Sequence, residues 1–112
     1  MDGYAIAQLK SVRMGQDIVE YLRRIDATLA PFGGRFVVHG GHADIREGEF
    51  RGDLIVIGFP SREAAVSWYE SDAYQEILPL RLHNAEGWAI IVDGVSDDHR
   101  ATDVLEGSAP AG

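Results

Sequence analysis

Three basic side chains that suit proton transfer and anion binding lie close together near the middle of the chain. They are Arg35, His39 and His42, separated by four and three positions. Histidine is the side chain best suited to accept a proton near neutral pH, and arginine stabilises the negative oxygen that forms when a proton leaves a carbon beside a carbonyl group. We therefore predict His39 as a general base, with Arg35 and His42 as ligand-binding residues.

The same histidines, together with Asp44, are residue types that bind metal ions. On an extended strand a spacing of three places two side chains on opposite faces, so His39 and His42 can hold one ion only if Gly40 and Gly41 turn the chain. The stronger spacings of known metal motifs are missing from the sequence, and it contains no cysteine. We expect no metal and no cofactor.

Aromatic residues form a second group of candidates further along the chain. Trp68, Tyr69 and Tyr74 are predicted ligand-binding residues. Aromatic side chains at helical spacing more often belong to a core, and that is the position we expect for Trp68. A buried phenol needs a hydrogen-bond partner, so Tyr69 or Tyr74 either faces a ligand cavity or fixes a break in the chain at Ser71.

Arg81 follows this aromatic group and is the second predicted catalytic residue. A guanidinium at this position can hold a carboxylate or an enolate oxygen of a ligand. The alternative is a structural ion pair with Asp72, with Glu76 or with a partner subunit. The sequence leaves these two roles open.

Hydrophobic periodicity assigns these candidates to six elements in the order β-α-β-β-α-β. The predicted elements are a strand over 4–12, a helix from about 17 to 30, strands over 35–41 and 54–59, a helical region that opens at 60–61, breaks at 71–72 and ends at Pro79, and a strand over 88–93. The first helix should bury a stripe formed by Ile18, Leu22, Ile25 and Leu29. Two split βαβ units with right-handed crossovers predict an α+β, ferredoxin-like fold, with both helices on one face of a four-stranded antiparallel sheet.

The strands are apolar on both faces, although the helices of this fold cover only one. In the third strand Ile55 and Ile57 alternate with Leu54 and Val56. A second cover is therefore needed, and the simplest is the same face of another copy. We predict a homodimer, a dimeric α+β barrel with a shared interior.

Strand alternation then sorts the side chains of the second strand. Phe36 and Val38 are predicted to face the helices, whereas Arg35, Val37 and His39 point into the dimer interior. A charged group or an imidazole in that interior needs a partner or a ligand. A small-molecule ligand bound between the two copies is the resulting expectation.

Composition limits the remaining classes of function. The chain of 112 residues is about one domain long, and its formal net charge of −8 argues against nucleic acid and anionic membranes as partners. The longest apolar run, over 54–59, is too short to span a bilayer, and the start lacks the pattern of a secretory signal. We expect a cytoplasmic protein with a barrel domain over 1–94 and a flexible acidic tail over 95–112.

Several sequence segments resemble a bacterial family. They are FGGRFVVHGG over 32–41, WYESDAYQ over 68–75 and VDG over 92–94. From about Tyr4 to Gly94 the chain resembles the domain-of-unknown-function family numbered 1330, within the dimeric α+β barrel superfamily. The resemblance implies a dimeric barrel and no particular activity, since the superfamily includes cofactor-free monooxygenases, isomerases, polyketide-modifying enzymes and haem proteins. The chain departs from the family pattern at Gly58, a position that is often acidic.

Two hypotheses of function follow from these observations. The first is a small-molecule-binding dimeric barrel that acts without a cofactor on a carbonyl or aromatic metabolite, with His39 as base and Arg35 or Arg81 holding the oxyanion. The second is a non-catalytic assembly module with a packed dimer interior. It is favoured because the sequence contains no recognisable nucleophile paired with a general base.

Overall fold

A four-stranded antiparallel sheet forms one layer of the computed structural model, which describes residues 1–106. The strands are β1 (Gly3–Val12), β2 (Arg35–Gly40), β3 (Asp53–Phe59) and β4 (Ala85–Asp93). Their order across the sheet is β2-β3-β1-β4, with β1 paired to β3 on one side and to β4 on the other. This order and the alternation with helices confirm the predicted ferredoxin-like α+β fold.

Three helices pack together on one face of this sheet. They are α1 (Gln16–Leu29), α2 (Arg62–Glu70) and α3 (Asp72–Leu82). Ser71 separates α2 from α3, and its hydroxyl makes both connecting hydrogen bonds. It donates to the carbonyl of Trp68 at 2.7 Å and accepts from the backbone N–H of Tyr74 at 3.2 Å. The break predicted at Ser71 is therefore present. Ser71 is the N-cap of α3, and its hydroxyl stabilises the break.

Two helical details differ from the prediction. Pro79 lies inside α3 and does not end it, because the helix continues to Leu82, with Leu78 buried and Leu80 partly buried against the core. In α1 the buried stripe contains Tyr21 in place of Leu22, which is 41% exposed. A helix places residues at i+3 and at i+4 on the same face, so both positions were compatible with the apolar spacing from Ile18.

The hydrophobic core lies between the helices and the sheet. Its largest fully buried side chains come from α1, β3 and α3, namely Leu29, Phe59, Tyr74 and Ile77. Trp68 is only 3% exposed, and its indole N–H donates to the Thr28 hydroxyl at 2.9 Å. The predicted core position of Trp68 is confirmed.

A β-bulge in β2 changes the direction of the side chains that follow it. Phe36 pairs with Ile57, but the register then shifts, so that Val38 pairs with Val56 and His39 pairs with Ile55. Because one extra residue reverses the alternation of a strand, His39 shares the helix-facing side with Phe36. The two rings stack with centroids 4.2 Å apart. The predicted directions of His39 and Val38 were therefore wrong.

The opposite side of the sheet, the outer face, has no helix against it among residues 1–106. By strand alternation it carries a set of mostly apolar side chains from β1, β3 and β4: Tyr4, Ile6, Leu54, Val56, Trp88, Ile90 and Val92. Trp88 is 44% exposed, and its indole N–H donates to the Gln8 side chain at 3.0 Å. The two-sided apolar strands expected from the sequence are present.

The chain leaves the sheet after Asp93 and forms a short 3₁₀ helix over Ala101–Leu105. Val95 and Leu105 are exposed. The flexible tail over 95–112 stays a prediction, and its last part, 107–112, lies outside the described residues. No helix within residues 1–106 is both long and apolar enough to cross a membrane.

Candidate ligand cavity

A cavity of about 770 Å³ separates part of the sheet from α1 and α3. The cavity exists because two side chains of β1 that face the helices, Ala5 and Ala7, are small. Larger residues at these positions would fill the space. The remaining walls are mostly apolar and come from all layers, including Ile18, Ile25, Phe36, Ile55, Ile57, Trp68 and Ile91. The cavity extends to the end of the sheet where β1 and β2 end and β3 begins, since Val12, Gly40 and Asp53 also line it.

Two phenols and a guanidinium form a polar group in the helical wall of the cavity. The hydroxyls of Tyr21 on α1 and Tyr74 on α3 are 2.6 Å apart. The guanidinium carbon of Arg81 lies 6.0 Å from the centre of the Tyr21 ring, within the range of a cation–π contact. Arg81 lies seven residues after Tyr74 on α3, which is two helical turns and therefore the same face.

The pKa values of Tyr21 and Arg81 in this polar group are both raised. Burial raises the pKa of the Tyr21 phenol well above its usual range, and the neighbouring Tyr74 adds to the increase while Arg81 opposes it. Burial acts to lower the pKa of Arg81, but the phenols of Tyr74 and Tyr21 outweigh it, and the net pKa is raised. Tyr21 is therefore neutral and Arg81 is charged at physiological pH.

His39 lies at the same cavity, on the sheet wall beside Phe36. The side chain is exposed, in contrast to the buried phenols. An exposed imidazole can exchange protons with water while it faces a bound molecule. The bulge thus brings the predicted base to a different cavity from the one expected, between helices and sheet and not between two copies.

Tyr69 and Trp68 complete the aromatic part of the wall. The Tyr69 ring lies 5.4 Å from the Tyr74 ring, and the Trp68 ring lies 4.1 Å from the Tyr74 ring. Trp68 thus lines the cavity while belonging to the core. Of the predicted site residues, the structure brings together His39, Trp68, Tyr69, Tyr74 and Arg81.

Two predicted ligand-binding residues lie elsewhere. Arg35 pairs with Gly58 and by alternation belongs to the outer face, and His42 is exposed in the connection between β2 and β3. Neither is among the residues that line the cavity. Within residues 1–106, no group of three histidine, cysteine, aspartate or glutamate side chains is close enough to hold a metal ion.

The alternative role of Arg81 is a structural ion pair with Asp72 or Glu76. Glu76 pairs with Arg24 of α1 at 2.6 Å. Across the described part of the chain, Arg81 forms no ion pair with a carboxylate. The ion pairs proposed for it with Asp72 or Glu76 are therefore not formed within the chain.

The sequence comparison identifies the family, since residues 2–95 match the family described as "Domain of unknown function (DUF1330)". The chain belongs to the DUF1330 family. No curated protein matches the sequence significantly. The DUF1330 resemblance carried by the central and aromatic motifs is thus confirmed.

Solved structures share the fold of this DUF1330 member at low sequence identity. RPA0582 from Rhodopseudomonas palustris, of unknown function, has a TM-score of 0.63 at 16% identity, over 85% of this chain and 83% of its own. A dimeric ferredoxin-like protein of unknown function from Jannaschia sp. CCS1 has a TM-score of 0.59 at 17% identity, over 86% and 100%. SnoaB from Streptomyces nogalater, a cofactor-independent oxygenase, has a TM-score of 0.54 at 13% identity, over 89% and 100%.

Tyr21 is a cavity residue that was not predicted from the sequence. Its signal was present, because Tyr21 and Ile25 continue the helical spacing from Ile18. A tyrosine on a buried helical stripe needs a partner for its hydroxyl, and Tyr74 was already a candidate with the same requirement. Pairing these two phenols would have identified the polar group.

Proposed function

We propose that this DUF1330 protein is a dimeric small-molecule-binding protein that acts without a cofactor on a carbonyl or aromatic metabolite. The observation that carries the proposal is the cavity of about 770 Å³ between helices and sheet. Ligand cavities commonly have volumes of about 300–1,000 Å³, with apolar walls and a few convergent polar groups. Here His39, Tyr21, Tyr74 and Arg81 are the convergent groups.

The chemistry that suits these groups is proton removal from a carbon beside a carbonyl group. His39 accepts the proton, the electron pair of the C–H bond moves onto the oxygen, and the Arg81 guanidinium stabilises the resulting negative charge. Both groups line the cavity, and their properties suit these roles. The imidazole of His39 is exposed, and the guanidinium of Arg81 is permanently charged. SnoaB supports this proposal as a protein of the same fold that works without a cofactor.

The dimer is the second part of the proposal. The outer face carries apolar side chains from three strands, and Trp88, Ile90 and Val37 are exposed on or beside it. Exposed apolar patches of this kind usually mark an interaction surface. The dimeric ferredoxin-like protein from Jannaschia sp. CCS1 supports the same arrangement for this chain.

The alternative, a non-catalytic assembly module, shares the dimer and differs at the interior. The apolar outer face is compatible with both hypotheses. The cavity between helices and sheet favours ligand binding, because a purely structural module gains no stability from unfilled apolar space.

Native mass spectrometry of protein purified gently from its own host tests the proposal directly. We expect a mass of two chains plus one or two equal small-molecule increments. An empty dimer that also fails the binding test below would support the assembly module, and a monomer would contradict the dimer.

A fluorescent probe tests whether the cavity is the binding site. We expect the uncharged probe N-phenyl-1-naphthylamine to bind the protein and the Ala7→Phe variant to lose this binding, because the added ring fills the space beside β1. Ala27→Phe adds the same ring to the exposed side of α1 and serves as the matched control. Equal probe binding by both variants would overturn the assignment of the cavity.

A further inference from the structure

The charge of the cavity wall is opposite to that of the protein as a whole. Lys10 and Arg81 line the cavity, and Asp53 is the one acidic residue that lines it within residues 1–106. The complete chain has a formal net charge of −8. A cation beside an apolar cavity without a carboxylate to pair with it favours an anion supplied by a ligand.

The phenol pair provides a second and independent observation. Each hydroxyl has one hydrogen, and in the contact between Tyr21 and Tyr74 only one of the two can be donated. The hydrogen of the accepting phenol is not used in this contact and can be donated to another group. Tyr74 is 1% exposed and Tyr21 is 8% exposed, so solvent is largely excluded from both side chains. A buried O–H donor without an acceptor is costly unless a bound group accepts from it.

A phenol hydrogen and a guanidinium are two donors, and within residues 1–106 Arg81 forms no ion pair with a carboxylate. Arg81 interacts with both phenols, which places the cation and the unused hydrogen in the same part of the wall. The group that complements both is an oxygen that carries negative charge and lone pairs. The rings of Phe36, Trp68 and Tyr69 in the surrounding wall favour a flat ligand body.

We propose that the ligand is a flat aromatic or conjugated molecule with an anionic oxygen, a carboxylate or an ionised enol, that is bound by Arg81 and by the Tyr21–Tyr74 pair. This inference rests on the proposed function and specifies its ligand class. It assigns the Tyr21–Tyr74 pair a binding role: one phenol of the pair donates to the anionic oxygen, and the other orients it. The apolar body of the ligand occupies the space beside Ala5 and Ala7.

Competition between two matched compounds tests the inference. N-phenyl-1-naphthylamine serves as the uncharged reporter, and 2-naphthoate and 2-naphthamide serve as competitors with the same ring and a similar shape. Hydrogen bonds to charged groups are strong enough that we expect 2-naphthoate to compete at least about tenfold more strongly than 2-naphthamide. The net charge of −8 disfavours an anion in general, so a preference for the carboxylate must come from the local site.

Three variants locate the source of the preference. Arg81→Gln should reduce the ratio of the two affinities to about one, and Tyr21→Phe should reduce it several-fold while reporter binding is retained. Arg35→Gln removes a cation from the outer face and should leave the ratio unchanged. A merely structural role of Tyr21 would weaken the reporter and both competitors equally.

The outcomes separate the two proposals. If the reporter does not bind the protein, the proposed function fails. If the reporter binds but both competitors displace it equally, the anion inference fails while the binding function stands. This comparison needs only the unmodified protein, so it holds even where a variant does not fold.

Discussion

The two faces of the sheet are similarly apolar in sequence but differ in what covers them. On the helix side, Ile57 and Phe59 are buried against Trp68 and its neighbours, and the small residues of β1 leave a cavity. On the outer face, Trp88 is 44% exposed and no element of the described chain covers it. Apolar character therefore predicts that a face will be covered, but not what covers it.

The difference extends to the polar groups on each side. Tyr21, Tyr74 and Arg81 converge on the helix-side cavity. The polar contact that involves Trp88 on the outer face is a single hydrogen bond to the Gln8 side chain. Convergent donors indicate a ligand site, whereas a broad apolar surface with few polar contacts indicates a protein interface.

A charge introduced into the apolar outer face should have the largest effect on the protein. We expect Val56→Asp to shift the proposed dimer to monomers, because each copy would place an unpaired carboxylate in the proposed interface at a cost of several kcal/mol. The strand itself should tolerate the change, since Val56 is only partly buried in the single chain. Light scattering over a range of concentrations measures the result.

Leu82→Asp is the matched control for this variant, because Leu82 is exposed at the end of α3 and does not belong to a strand of the outer face. It should leave the dimer intact. Equal dissociation constants for the two variants would contradict the role of the outer face.

The two tryptophans give the next largest contrast. Trp68→Ala should lower the free energy of unfolding by about 3–5 kcal/mol, because it leaves a cavity in the core and removes the hydrogen bond to Thr28. Trp88→Ala should cost much less in the Val56→Asp background, where dimerisation no longer contributes. Urea denaturation of both variants tests this order, and similar losses would argue against separate roles for the two faces.

Alkaline pH should reveal the smaller contribution of the phenol pair. The pKa of Tyr21 is raised in the folded state, so this group stabilises the fold below its unfolded pKa of about 10 and loses that contribution as pH rises further. The stability advantage of the natural protein over Tyr21→Phe should therefore shrink above this pH, by up to about 1.4 kcal/mol per pH unit. Urea denaturation at several alkaline pH values measures it. Parallel pH profiles of the two proteins would contradict the raised pKa.

The fold could be predicted from the sequence because its signals are local and repeated. A continuous apolar run marks β3, helical spacing marks α1, and Ser71 marks the break between α2 and α3 through its hydroxyl. The patterns of β3 and α1 are each supported by several residues, so an error at one position does not change the element. The extension of α3 past Pro79 shows the limit of a single signal, since packing outweighed the preference of proline.

The site could be predicted only in part because it depends on positions that a pattern does not specify. The aromatic candidates and Arg81 line the cavity, but the bulge in β2 reverses the direction of His39, and one extra residue leaves no trace in an apolar strand. Tyr21 was missed because its partner lies 53 residues away in the chain. Which face of the sheet would hold the cavity depended on the sizes of Ala5 and Ala7, which apolar alternation does not distinguish.

The bulge in β2 has a further consequence for the solubility of the protein. β2 and β4 are the two edge strands, and the ladders that join them to the sheet are both irregular, between Phe36 and Val38 and between Leu9 and Ser11. Bulges increase the local twist of a sheet, and a bulged edge is a poor template for the addition of another strand. We therefore expect the distortion that turns an imidazole toward the cavity also to disfavour the pairing of another strand at the β2 edge, and with it open-ended growth into fibres.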